Sequence, residues 1–247
     1  EFIESAKNAG FENISLDLIF SIPGQTLASF EESLETALKL GINHISTYSL
    51  IYEPGTPLFK KWEMGKIEKQ SDQADAEFYE FAIDYLNLRG FYQYEVSNFS
   101  PKGYECQHNL HTWNGGEYFA FGASAHGYYQ GSRFNKISHL DNYMKLLESD
   151  LSVLNNIESI SENDSIFENL YLPIRANGID CQRFENIFGY DLLRILAKFI
   201  EEYLAKGMIV VCENRLKLTK MGYMLCDTVT LALICEFERK TGLKFNS

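Results

Sequence analysis

The sequence predicts an α/β protein followed by a smaller, helix-rich region. Two observations carry the first part: short apolar runs at residues 14–22 and 44–51, and between them an amphipathic segment long enough for a helix. A third carries the second part. Residues 151–163 lose their aromatics and turn polar, and helical spacing dominates after them.

With 247 residues, 45% apolar and 14% aromatic, the chain is long enough for one large domain or two smaller ones. A formal charge of −12 lacks the surplus of Lys and Arg that phosphate neutralisation needs, so no nucleic-acid partner is expected. No apolar run approaches the length of a membrane span and no basic-then-apolar leader is visible, which predicts a cytoplasmic protein without a transmembrane segment. Five cysteines, at 106, 181, 212, 226 and 235, are odd in number, widely spaced and without a C-x-x-C pair, unlike a disulfide framework. The sequence opens on Glu1 within a helical pattern, and so reads as a fragment whose N-terminal part lies upstream.

Taken in order, residues 1–10 look like a helix end with Gly10 as its stop. Residues 14–22 suit a strand buried on both faces, in which Asp17 is either a site residue or a structural cap. Pro23-Gly24-Gln25-Thr26 breaks that strand, and Thr26 caps a helix with Leu27, Phe30, Leu34 and Leu38 on one face. Residues 44–51 complete a right-handed βαβ crossover, with His44 expected as a solvated residue at the strand start. Residues 58–70 resemble a surface insertion, 71–89 a long core-facing helix, and 91–96 a third strand. Ligands of open α/β sheets bind beyond the strands' C-terminal ends, so Asp17–Gly24, Ser46–Glu53 and Glu95–His111 are expected on one rim.

Residues 94–127 concentrate the chemistry: Cys106, His108, His111, His126 and Trp113 lie among glycine-rich turns, as a functional loop or as an aromatic-rich surface loop. Beyond it, 137–147 reads as a helix, 151–163 as a linker, and 165–175, 181–189 and 192–206 as three helices. A hairpin at 209–218 and a last helix at 219–233 follow, giving winged-helix character. The third helix mixes Asp191, Glu201 and Glu202 with Arg194, Lys198 and Lys206, which is not a DNA-recognition surface.

Five stretches together resemble one family: Asp17-Leu18-Ile19 with Ile22-Pro23-Gly24-Gln25-Thr26, Tyr94-Glu95-Val96-Ser97-Asn98-Phe99, Cys106-Gln107-His108-Asn109, and Gly122-Ala123-Ser124-Ala125-His126. They resemble HemW, a haem-chaperone family of the radical S-adenosylmethionine superfamily related to oxygen-independent coproporphyrinogen III oxidase, HemN. The resemblance spans essentially the whole chain. It implies residues 1–136 as the latter part of a partial six-stranded (β/α) TIM-like barrel with a haem-motif loop, 137–163 as connecting helix and linker, and 164–247 as a HemN-type winged-helix-like domain. The cysteine triad for the 4Fe-4S cluster and the glycine-rich S-adenosylmethionine motif are then expected upstream of Glu1.

By the same resemblance Asp17 and Ile19 match positions lining the S-adenosylmethionine pocket, and Ser49 matches a backbone contact to adenine. The family's H-N-x-x-Y-W haem motif corresponds to His108, Asn109 and Trp113, with Thr112 in place of Tyr. Histidine is a common axial ligand of haem iron and Trp can pack on the porphyrin face. Cys106 reads as structural or a bystander, and His111 and His126 as weaker alternates. The implied cofactors are haem and, in the complete protein, the cluster and S-adenosylmethionine. The implied partner is a haem-acceptor protein, of which a membrane-associated one is a candidate. Three readings compete: a haem carrier, a radical decarboxylase of coproporphyrinogen III, and an inert C-terminal piece. An axial imidazole favours the carrier.

Overall fold

Two apolar runs become neighbouring parallel strands, and two amphipathic helices close over one of their faces. In the computed structural model, which describes residues 1–245, the chain forms two units, one spanning Glu1–Glu105 and the other running from Cys106 onward.

The first unit begins with helix α1 (Phe2–Asn8), strand β1 (Ser15–Phe20), helix α2 (Leu27–Lys39) and strand β2 (His44–Ser49). β1 and β2 pair in parallel from Ser15↔His44 to Phe20↔Ser49, the predicted crossover. Thr26 and Ser29 cap α2 reciprocally, each accepting from the other's backbone N–H. α3 (Pro57–Glu63) occupies the expected insertion, and α4 (Asp72–Asn87), capped by Ser71, is the long helix. Phe30 and Leu34 of α2 and Phe78, Ala82 and Leu86 of α4 form the core with Phe20 and Ile45.

Three expectations change here. Residues 91–96 do not continue the parallel sheet: they supply only β3 (Tyr92–Gln93), and β4 (Asn98–Ser100) pairs antiparallel with both β2 and β3, in sheet order β1-β2-β4-β3. The cause is a tight reversal in which the Tyr94 N–H bonds the Asn98 carbonyl and buried Glu95 accepts the Ser97 N–H at 2.9 Å. Nor is β1 buried on both faces. Its burial alternates, because α2 and α4 lie on one side, and Ser15, Asp17 and Ile19 remain exposed on the other. His44, finally, is buried rather than solvated. The folded-back hairpin brings the Tyr94 hydroxyl to 2.7 Å from Nε2, while the Ser15 hydroxyl lies 2.7 Å from Nδ1.

The second unit opens with α5 (Gln107–Trp113), followed by β5 (His126–Tyr129), β6 (Ser132–Lys136), α6 (Leu140–Glu148) and β7 (Leu154–Ser159). These three strands form an antiparallel sheet. The linker predicted at 151–163 thus contains a strand. All six residues of β7 are exposed, so no apolar alternation marks it in the sequence; its register is supplied by β6.

The remaining elements are α7 (Glu162–Tyr171), a 3-10 turn (Pro173–Arg175), β8 (Ile179–Asp180), α8 (Cys181–Phe188), α9 (Leu192–Ile195), α10 (Ala197–Ala205), β9 (Ile209–Cys212), β10 (Arg215–Leu218), α11 (Lys220–Met224) and α12 (Cys226–Thr241). The predicted hairpin is β9–β10, and β8 adds a third strand to it that the sequence did not announce. The predicted third helix divides at Leu196, and the last divides at Leu225 and runs on to Thr241. A Cβ on Gly222 would lie 2.0 Å from the Met208 carbonyl oxygen, so this glycine permits α11 to meet the hairpin. Leu170, Ile174, Leu196, Leu216, Leu233 and Phe237 are fully or almost fully buried in this unit.

Candidate functional site

The motif residues of the central loop fold into α5, a helix of two turns whose spacing sorts them by face. Asn109 and Trp113 stand four residues apart, as do His108 and Thr112 on the adjoining stripe. His108 is exposed, and its ring meets Tyr118 edge-on, with centroids 6.4 Å apart and planes at 88°. Thr112 turns inward on its own helix, its hydroxyl lying 3.1 Å from the His108 carbonyl and 2.9 Å from that of Asn109.

The neighbouring histidines are differently employed. His111 donates from Nε2 to the Glu117 carbonyl at 2.9 Å, and a Cβ on Gly116 would come within 2.3 Å of its ring. That close approach accounts for the glycine and fixes His111 against the turn that follows α5. His126 begins β5, opposite Asn135. Cys106 is the N-cap of α5 and makes no side-chain capping bond. His108, exposed on the same helix as His111, faces Tyr118 rather than the turn that holds His111.

Thr112 and Trp113 open onto a cavity of about 200 Å³ that Tyr118, Tyr128, Arg133 and Glu168 also line. Arg133 Nη2 donates to Glu168 Oε1 at 2.7 Å. Burial pushes the Glu168 carboxyl above its usual range and Arg133 pulls against that shift. Neither Tyr118 nor Arg133 was singled out from the sequence. Tyr118 lies close beyond the motif, whereas nothing local marks Arg133, which reaches the cavity only through sheet pairing.

The other predicted residues lie in the first unit. Asp17 and Ile19 point to the exposed face of β1, in register with Ser46 and Tyr48. Ser49 aligns with Phe20, whose side chain is on the opposite face, and its hydroxyl donates to Asp75 Oδ1 at 2.5 Å. The side chains of Asp17 and Ser49 therefore do not meet on one face, although both strands end at the same edge. Beside Ser49 lies a cavity of about 380 Å³ lined by Ser21, Tyr52, Phe59, Trp62 and Asp75. The buried hydroxyls of Ser21 and Tyr52 have no hydrogen-bond partner among the described residues, and Ser21 has a φ of +60°. The one hint of this in the sequence is the Pro23-Gly24 break just after Ser21.

Among the described residues no group of three or more His, Cys, Asp and Glu side chains is placed to hold a metal ion. None of the five cysteines is in a disulfide among the described residues, and burial raises the pKa of the Cys181 thiol to about 11. No helix among the described residues is long and apolar enough to cross a membrane.

Residues 160–225 match the HemN C-terminal domain family. Heme chaperone HemW of Bacillus subtilis is 36% identical over 234 residues, covering 94% of this chain and 62% of the relative. The Lactococcus lactis protein of that name is 32% identical, covering 92% and 60%. A mitochondrial radical S-adenosyl methionine domain-containing protein 1 from Danio rerio is 29% identical over 91% of this chain and 53% of its own length. In the first two comparisons the chain spans about three-fifths of the curated relative. Among solved structures, coproporphyrinogen III oxidase (HemN) from Escherichia coli superposes with a TM-score of 0.73 at 18% identity, over 98% of this chain and 58% of that one. This establishes a shared α/β fold with a C-terminal domain.

Proposed function

We propose that this chain, HemW-like in sequence along more than nine-tenths of its length, takes part in carrying haem and handing it to an acceptor protein, with His108 as the iron ligand. The exposed imidazole of His108, edge-on to Tyr118, which lines the cavity together with Trp113, is the observation that carries this reading. Neutral imidazole is an iron ligand, and Tyr118 edge-on to it limits the orientations the ring can take.

The size of the cavity bears on the mode of binding. At about 200 Å³ it is smaller than the roughly 300–1,000 Å³ of sites that enclose a drug-sized ligand. Haem then lies against the surface of α5 with one edge in the cavity, an arrangement suited to a cargo that must leave again. Thr112 places a hydroxyl engaged with its own helix where the family has a phenol, which leaves the cavity mouth more open on that side.

S-adenosylmethionine, when bound, supplies an adenosyl group and a sulfonium to the superfamily's chemistry. The residues of this chain fit the nucleoside: Tyr52 and Ser21 offer partnerless hydroxyls and Trp62 an aromatic face in the cavity beside Ser49. Asp17 and Ile19 approach the common edge of β1 and β2 from the other face, so a ligand laid across both strand ends is reachable from either side. For the 4Fe-4S cluster the described residues provide no ligand set, and no step is assigned to it. The partial barrel and the winged-helix-like character of residues 164–247 belong to this same reading.

The test is a haem titration of the complete protein followed by absorption spectroscopy. His108→Ala is expected to abolish the Soret band of bound haem, while His111→Ala keeps it. An unchanged spectrum in the His108 variant sinks the assignment. Formation of protoporphyrinogen from coproporphyrinogen III would instead support the oxidase.

A further inference from the structure

Arg133 projects from β6 with 44% of its side chain exposed, whereas its partner Glu168 on α7 is 15% exposed. It lines the cavity onto which Thr112 and Trp113 open, and a second cavity of about 210 Å³ shared with Tyr118 and His126. Among the described residues it is the one cation lining the first of these. A guanidinium has five N–H donors in a rigid fork, so the bond to Glu168 does not exhaust it.

Electrostatics give this cation a further significance. The chain carries a formal charge of −12, and Glu158 lies directly opposite Arg133 on β7. A ligand bearing two carboxylates is repelled by such a surface unless a cation meets it. Glu168 is a strained partner, since burial pushes its carboxyl up and Asp164 and Glu158 add repulsion against the pull of Arg133.

We infer that Arg133 receives a carboxylate of the porphyrin whose iron faces His108, exchanging part of its pairing with Glu168 for the ligand. This rests on the haem reading above. Arg133 then sets the rotation of the macrocycle about the iron–imidazole axis, because a carboxylate held at the cavity leaves the opposite, apolar edge turned away from it. The chemical class recognised is an amphiphilic tetrapyrrole acid rather than any flat aromatic.

Ferric haem and its dimethyl ester, which has no free carboxylate, are titrated into the complete protein. Arg133→Gln is expected to weaken haem about tenfold, the order expected for loss of one charge-assisted bond, with the Soret maximum and the affinity for the diester unchanged. Equal losses for haem and diester, or no loss for either, would overturn the inference. Because Arg133→Gln leaves Glu168 unpaired, Arg133→Gln/Glu168→Gln is the control for misfolding: it must lose the same preference for haem over diester, and retention of that preference counts against the proposal. If His108→Ala keeps its Soret band while Arg133→Gln abolishes the preference, the iron assignment fails and the carboxylate contact stands.

Discussion

The mixed sheet of β1, β2, β4 and β3 and the antiparallel sheet of β5, β6 and β7 are put to opposite ends. In the first, α2 and α4 seal one face with Phe30, Leu34, Phe78 and Leu86, and even the polar His44 is buried and bonded on both ring nitrogens. In the second, β7 is exposed throughout, and the exposed rings of Phe119 and Tyr129 meet at a tilt of 37° with centroids 5.2 Å apart. One sheet gains stability from what it hides. The other sets Arg133 at the lining of a cavity and leaves the stability of its unit to the core around Phe237 and Leu216.

The sharpest way to break this contrast is to remove a ring from the sealed face. Phe30 is fully buried, with Phe78 at 5.7 Å and Phe20 at 5.8 Å. Phe30→Ala is expected to cost about 3–5 kcal/mol by chemical denaturation. A loss under about 1 kcal/mol would mean that this face is not close-packed.

A smaller effect is expected at His44. His44→Ala leaves the Ser15 and Tyr94 hydroxyls without their imidazole partner and is expected to cost about 1–3 kcal/mol. Burial holds the imidazole below its usual pKa of 6.5, with Asp17 pulling weakly the other way. The unfolded chain therefore binds the proton first. The stability contributed by neutral His44 is complete above pH 6.5 and declines as pH falls through 6.5 towards the lower folded value. The variant should lack that component of the pH profile, and an identical profile in both proteins would place the charge elsewhere.

The smallest effect is expected on the open sheet. Ile157 of β7 is 66% exposed, so Ile157→Thr, which keeps the branched Cβ, should change stability by no more than about 0.5 kcal/mol. A loss above about 2 kcal/mol would show that this face is covered in the protein as it exists in solution.

The same contrast explains which parts were legible in the sequence. The βαβ unit was readable because burial on one face imposes apolar periodicity: Phe30, Leu34 and Ala37 fall on one helical stripe, and Thr26 announces its start. The hairpin of β9 and β10 was readable from Glu213-Asn214, both of which have positive φ. β7 was not, because a strand exposed on both faces needs no pattern. Nor was β4, since a three-residue strand is set by the turn before it and by the open edge of β2 beside it.

At the candidate site the division is similar. Composition and order within 106–113 determined that the amide of Asn109 and the indole of Trp113 would share a stripe, with the imidazole of His108 on the adjoining one, since helical turns bring residues four apart onto one stripe. Local sequence also determined the crossover and its caps. Only tertiary structure decided that Asp17 and Ser49 would point to opposite faces of adjoining strands, and that Arg133 would border the cavity of Trp113. The physical reason is range. Helix periodicity and capping act within a few residues, whereas strand pairing and burial bring together groups twenty or more residues apart, and neither partner carries a local mark of the other.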